Sequence, residues 1–221
     1  MNRILHISCS PRAHESQSHR FSTRIVERLL ARHPQAQVMQ RDLWAQQLPH
    51  VDEDYGHALA GSRPVAPDAF ERQGSLARSE ALIVELESAD AVVIGTPMHN
   101  YTVPSVLKAW IDHVLRIHRT FVPTAEGKRG LLHDRPVYIA VASGGGYTGA
   151  QARQPDFLTP YLEAALGTIG LRALHFFALE HMVMGDDVVA DVLRDAAALL
   201  DLRLPLAAGG EDKLRALVTA G

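Results

Sequence analysis

Short apolar runs alternate along this chain with longer stretches of helical period. Arg3–Ser8, Gln37–Asp42, Ala91–Ile94, Val137–Ala142 and Ala173–Leu179 read as strands. Between and after them, Ser18–His33 (stopped by Pro34), Leu76–Ser88, Ser105–His118, Asp156–Thr168 and Asp187–Leu202 read as helices, with a last turn or two at Glu211–Val218. The stretch from Ser105 shows the stripe most plainly: Val106, Leu107, Trp110, Ile111, Val114 and Leu115 recur at three- and four-residue steps. Short apolar strands separated by helices predict an α/β protein whose parallel sheet is covered on both faces. Five such strands predict the doubly wound order 2-1-3-4-5, with its switch point between the first and third strands.

Two stretches exceed what that minimal fold needs. One covers about 44–75, rich in Pro, Asp, His and Gly; the other covers about 119–135, between the third helix and the fourth strand. Long irregular segments of compact domains serve function or partner contacts. No internal repeat or low-complexity tract is present, and 221 residues suffice for one domain with a full core.

Composition narrows the function classes. The chain is 47% hydrophobic and 21% charged, with a net charge of −3 and no dense basic run, which speaks against a nucleic-acid surface. A single cysteine excludes an internal disulfide framework and fits a reducing compartment. Met1-Asn-Arg-Ile-Leu-His leads straight into a strand, so no signal peptide is expected, and no apolar run reaches membrane-span length. The expectation is a cytoplasmic enzyme-sized domain without membrane or nucleic-acid partners.

Candidate chemistry collects at strand ends, where ligands of open α/β sheets bind. After the first strand comes Ser10-Pro-Arg12-Ala-His-Glu-Ser16-Gln17-Ser18. Hydroxyls and exposed amides before a helix attract a phosphate through unpaired N–H groups and the helix dipole. Ser10, Arg12, Ser16, Gln17 and Ser18 are therefore candidate phosphate contacts; the bland alternative is a helix cap at Ser16 or Ser18. No Gly-x-x-x-x-Gly-Lys or Gly-x-Gly-x-x-Gly follows this strand, which argues against a nucleoside triphosphate or a bound dinucleotide.

The third strand ends in Gly95-Thr-Pro97-Met98-His99-Asn100-Tyr101-Thr-Val-Pro104. Pro97 and Pro104 alone would mark a turn. Met98, His99, Asn100 and Tyr101 add amides and an apolar or aromatic wall suited to a flat ring. After the fourth strand, Ser143-Gly144-Gly145-Gly146-Tyr147 invites close backbone approach: glycines allow positive φ and leave no Cβ to block a flat ligand, and their N–H groups can form a nest. A flexible connector is the bland alternative. Three such loops on one edge fit flavin mononucleotide (FMN), with its single phosphate and flat ring. None of the twelve histidines sits in His-Glu-x-x-His or pairs with cysteine at ligand spacing, so no metal is expected, and Cys9 reads as a small buried residue. No Gly-x-Ser-x-Gly elbow supports a hydrolase.

With these residues in place, the chain resembles the FMN-dependent NADH:quinone oxidoreductases that also act as azoreductases. Carrying the resemblance over nearly the whole length are Ser-Pro-Arg12 with Ser16-Gln-Ser18, Arg41-Asp-Leu43, Ala89-Asp90, Pro97-Met-His-Asn100, Pro104-Ser-Val-Leu-Lys108-Ala-Trp-Ile-Asp112, Arg119-Thr-Phe121, Ser143-Gly-Gly-Gly146, Leu158-Thr-Pro-Tyr161-Leu and Gly167-Thr-Ile-Gly170. The resemblance implies a flavodoxin-like three-layer α/β/α sandwich holding FMN tightly but non-covalently. It places the phosphate at Ser10 and Ser16–Ser18, and the ring at Met98–Tyr101 and Ser143–Gly146. It also implies a homodimer with each site at the subunit interface, the helix after Pro104 and the second excursion facing the partner. Where this chain has His99 the family usually has Tyr, and where it has Gly144 often Arg. Nucleotide preference and acceptor range turn on those two positions.

The implied activity is a two-step exchange at one site. NADH or NADPH delivers hydride and leaves; a quinone, or an aromatic azo compound cleaved to amines, then takes two electrons. No side chain is required as an obligate base. The rivals are a flavodoxin-type electron carrier, an NADPH-dependent FMN reductase that releases its flavin, and an interaction protein on an inactive scaffold. Carriers of that type are shorter and strongly acidic, unlike this chain.

Overall fold

The computed structural model describes residues 1–60, 74–150 and 152–206. In chain order the elements are β1 (Arg3–Ser8), α1 (Gln17–Arg32), β2 (Gln37–Asp42), α2 (Glu53–Ala60), α3 (Ser75–Ser88), β3 (Ala91–Pro97) and α4 (Ser105–Val114). They continue with β4 (Phe121–Thr124), β5 (Gly127–Gly130), β6 (Val137–Ala142), α5 (Leu158–Ile169), β7 (Leu174–Leu179) and α6 (Asp186–Arg203). The turn expected at Glu211–Val218 lies outside the described residues.

Five strands form one sheet in the order β2-β1-β3-β6-β7, every neighbouring pair parallel. Counted within that sheet, this is the expected 2-1-3-4-5. Strand residues alternate between two apolar clusters, as the two-residue period of a pleated strand requires. Leu5, Ile7, Val92, Ile94, Ile139 and Val141 join Leu82 and Leu86 of α3, Leu107 and Trp110 of α4, and Leu162 and Leu166 of α5. Ile4, Val93 and Ala140 join Phe21, Ile25 and Leu29 of α1 and Leu200 of α6. A one-residue slip would exchange the two sets and set each side chain against the wrong layer of helices, losing its packed fit. Register is therefore strongly specified.

The ends of several elements differ from the sequence expectation, each for a local reason. The apolar stripe of α4 runs through Leu115, yet the helix stops at Val114. Thr120 donates its hydroxyl to the Val114 carbonyl at 2.7 Å, satisfying a late-helix acceptor from outside, and His118 takes a positive φ of 62°. Asp156 does not begin α5; its Oδ1 accepts the Leu158 and Thr159 amides, both at 2.9 Å, and so caps it. β3 runs on to Pro97 because Met98 continues its ladder, donating to the Ala142 carbonyl at 2.8 Å.

Both excursions contain structure that periodicity did not announce. Within the first, α2 is only eight residues long and is anchored by Tyr55, which is fully buried and donates its hydroxyl to the Asp112 carbonyl at 2.8 Å. Asp52 and Ser75 close its base reciprocally: the Ser75 amide donates to Asp52 Oδ2 (2.8 Å) and the Asp52 amide to Ser75 Oγ (3.1 Å). Within the second, β4 and β5 form an antiparallel hairpin.

Candidate functional site

All five strands of the main sheet point the same way, so β1, β3, β6 and β7 deliver their following loops to a single edge. Backbone bonds extend the sheet into those loops and fix their spacing. Cys9 donates to the Gly95 carbonyl (3.0 Å), Met98 to Ala142 (2.8 Å), Ser143 to Leu179 (2.8 Å) and Met182 to Ser143 (3.0 Å).

After β1 the chain buries Cys9 and Ser10, emerges through the exposed Pro11–Glu15 and re-enters at Ser16 to begin α1. Ser16 occupies the cap position but makes no side-chain cap bond; its hydroxyl pairs with that of Ser18 at 2.9 Å. The first-turn N–H groups of α1 are thereby left to a ligand at the positive end of the helix dipole. Arg12 and Glu15 both stand beside that helix end, so Glu15 offsets part of the arginine's field. Histidines below add no positive charge. His19, bonded through Nδ1 to Ser8 Oγ at 2.8 Å, is held below the usual histidine range by burial and then by His14. Burial, reinforced by His19, pushes the interior His6 down to about 4. Cys9 is fully buried, and its thiol is pushed far up by desolvation, which leaves it no role as a nucleophile.

The β3 loop is a tight turn closed by two backbone bonds, His99 to Thr102 (2.9 Å) and Thr102 to His99 (3.0 Å). Its two central residues, Asn100 and Tyr101, have φ of +48° and +71°. Asn tolerates that region; Tyr adopts it only where the surroundings enforce it. Enforcement comes partly from Phe157, whose amide donates to the Tyr101 carbonyl at 3.1 Å.

None of Gly144, Gly145 and Gly146 has a positive φ, so left-handed freedom is not why glycine stands in the β6 loop. At Gly145 the reason is space: a Cβ there would lie 3.0 Å from Gln154 Oε1, whereas one on Gly144 would meet Val183 at an ordinary contact distance of 3.5 Å. Beyond the glycines, the Glu180 carboxylate accepts the Tyr147 amide, the Thr148 amide (2.8 Å) and the Thr148 hydroxyl (2.7 Å).

These loops enclose a cleft of about 270 Å³. Ser10, Arg12, Ser16, Gln17, Pro97, Met98, His99, Ser143 and Gly144 all line it, bringing together residues from three separate strand ends. The other expected residues sit differently. Ser18 is fully buried behind Ser16, Asn100 and Tyr101 stand exposed at the tip of their turn, and Gly145 and Gly146 lie farther along their loop. Among the described residues there is no group of His, Cys, Asp and Glu able to hold a metal ion.

The family model described as flavodoxin-like fold matches residues 2–203. An FMN-dependent NADH:quinone oxidoreductase from Pseudomonas fluorescens is 48% identical over 203 residues, covering 92% of this chain and 96% of that protein. A second, from Burkholderia lata, is 48% identical over 198 residues, covering 90% and 94%. The chain belongs to the FMN-dependent NADH:quinone oxidoreductase family. The fold also matches the crystal structure of an FMN-dependent NADH-azoreductase from Bacillus anthracis in complex with FMN, at a TM-score of 0.75 and 21% identity, over 92% of this chain and all of that one (100%).

Against the family's sequence signature, two cleft residues stand out as unforeseen. Met182 and Val183 follow β7 and form the wall facing Gly144. Their signal was present: Met182-Val-Met184 is an apolar run just past a strand, with Val183 77% exposed. An unburied apolar run at the carboxyl edge of a sheet is a binding-site cue in its own right.

Proposed function

We propose that this chain is an FMN-dependent NAD(P)H:quinone oxidoreductase that reduces quinones by two electrons and cleaves aromatic azo compounds to amines. The observation that carries the proposal is the convergence on one cleft of an uncapped helix N-terminus and two ring-facing loops. The fit to the cofactor is chemical. Ser10, Ser16, Gln17 and Arg12 offer hydroxyl, amide and guanidinium donors to a monophosphate, while Pro97, Met98 and His99 on one loop and Ser143 and Gly144 on the other offer flat walls and backbone donors. Ser18 supports Ser16 from behind.

Bound there, FMN would supply the redox chemistry, taking up a hydride equivalent from NADH or NADPH and passing two electrons to the acceptor. The chain's own part is to bind, orient and polarise. The α1 N-terminus would hold the phosphate end, and the β6 loop would offer backbone N–H groups to negative charge developing on reduction. His99, exposed at the mouth, and Val183, across from Gly144, stand where nucleotide and acceptor would enter in turn. No carboxylate or histidine of the cleft needs to move a proton in this scheme.

Tyr101, Phe157, Val183 and Met184 are large apolar residues left 48, 58, 77 and 62% exposed near the cleft. Such a rim supports a homodimer with the active site at the subunit interface. Helical residues packed against both sets of sheet side chains support the three-layer arrangement within one domain. Among the described residues no helix is long and apolar enough to cross a membrane, in keeping with a cytoplasmic enzyme.

The test is the visible spectrum of the purified protein and its change under anaerobic NADH. A flavin spectrum that bleaches with NADH and recovers with menadione is the expected result. A colourless protein that neither binds added FMN nor oxidises NADH with menadione overturns the proposal.

A further inference from the structure

Between the β6 loop and α5 runs a segment that touches both ring-facing loops, and Gln154 is at its centre. Its Nε2 donates to Ser143 Oγ at 2.8 Å and lies 3.3 Å from Met98 Sδ. Its Oε1 occupies the space that a Gly145 side chain would need. On either side the backbone repeats the link: Arg153 donates to the Gly146 carbonyl at 2.9 Å and Phe157 to the Tyr101 carbonyl at 3.1 Å. One half-buried amide thus clasps the β3 loop to the β6 loop, through the two cleft residues Met98 and Ser143.

The chemistry of that bond decides the polarity of Ser143. A hydroxyl has one proton to give and can accept as well. Because Gln154 donates to the Ser143 oxygen, the Ser143 proton is not spent on Gln154. Ser143 is only 4% exposed, and its backbone amide and carbonyl are already occupied by Leu179 and Met182. Its hydroxyl proton therefore seeks an acceptor within the cleft it lines.

We propose that Gln154 is a positioning residue for the flavin: it holds Met98 and Ser143 at their spacing and makes the Ser143 hydroxyl an obligatory donor into the cleft. This inference rests on the cleft being the FMN site. It assigns the donor strength of that wall to a residue outside the three strand-end motifs. The ligand group it serves is an electron-rich oxygen or nitrogen of the ring, whose acceptor character increases when the ring gains negative charge.

The substitution Gln154→Glu reverses the bond at neutral pH, because a carboxylate only accepts and would draw the Ser143 proton away from the cleft. It also adds a negative charge beside Met98. Gln154→Met keeps the bulk but removes the donor. The FMN-loaded protein, stripped and titrated with FMN, gives dissociation constants by quenching of flavin fluorescence, and anaerobic dye equilibration gives the midpoint potential. Wild-type protein that fails to take up FMN removes the cofactor reading itself. With wild-type binding established, the expected result is at least a tenfold weaker FMN affinity in Gln154→Glu and a more negative midpoint potential. Gln154→Met is expected to shift both in the same direction but less, and adding Ser143→Ala to narrow the difference in potential between Gln154→Glu and Gln154→Met to the part that the added carboxylate charge contributes. Unchanged affinity and potential in Gln154→Glu, with circular dichroism like the wild type, overturn the proposal. So does a loss of affinity with no change of potential, which assigns Gln154 to loop packing alone.

Discussion

Gly95 of β3 and Ser18 of α1 face each other across a gap too narrow for a methyl group. A Cβ at Gly95 would lie 2.8 Å from the Ser18 carbonyl oxygen, and closer still to the Ser22 hydroxyl. This contact sets the helix down on the sheet with its N-terminus at the cleft. The phosphate end of the site and the interior of the fold therefore share one steric constraint.

Gly95→Ala should cost about 2 kcal/mol of stability by overpacking, because the Ser18 carbonyl oxygen, unlike the Ser22 hydroxyl, belongs to helix backbone that cannot swing aside. It should also weaken FMN binding, since α1 can make room only by shifting its first turn. Urea unfolding and FMN titration on the same variant check both; a stable variant with native affinity would disprove the coupling.

The turn at Asn100 separates a backbone role from a side-chain role. Asn100→Leu places a branched side chain at φ +48° and should weaken FMN binding at least tenfold, with turnover falling in step. Asn100→Gly satisfies the backbone at no steric cost. Recovery of affinity in the glycine variant would assign Asn100 to turn geometry; continued loss would assign its amide group to the ring. Unchanged kinetics in Asn100→Leu would remove the turn from the site.

Glu180 holds the far end of the glycine loop through two amides and a hydroxyl. Glu180→Ala should leave the fold intact, lower stability by about 1–2 kcal/mol and accelerate hydrogen exchange at Tyr147 and Thr148. Glu180→Gln keeps one acceptor oxygen and should fall between. Exchange measured residue by residue decides whether the loosening stays local.

Acid should unfold this protein earlier than its carboxylates alone would dictate. His6 is buried neutral, with its pKa depressed from 6.5 to about 4, so between those values the unfolded chain binds more protons than the folded one. Stability then falls as pH drops through that window, by about 2 kcal/mol between pH 6.5 and pH 5 from this group. The paired carboxylates of Glu80 and Glu87, whose pKa values lie below normal, lose their contribution only at lower pH. Urea titrations at pH 7.5 and 5.0 should show the drop in the wild type and a smaller one in His6→Leu.

Legibility in the sequence followed how local the cause was. The β1 loop, the β3 turn and the glycine loop were each visible because an apolar strand and its terminating polar or glycine run are adjacent in the chain. Close backbone approach at the glycine loop was legible, but not its partner: none of Gly144, Gly145 and Gly146 has a positive φ, and Gly145 leaves room for Gln154. No pattern along the chain pairs those two residues. The helix α2 escaped notice because a single buried Tyr55, not a stripe, holds it.

By itself, the order of apolar strands and helical stripes determined the parallel sheet, its strand order and the edge at which ligand-binding loops gather, because alternation and handedness leave few other topologies. Tertiary structure alone decided which residues of those loops meet. Met182 and Val183 closing the cleft, Glu180 securing the glycine loop and Gln154 joining Met98 to Ser143 are all contacts between distant segments. Such contacts arise from packing against a finished sheet, and no periodicity along the chain encodes them.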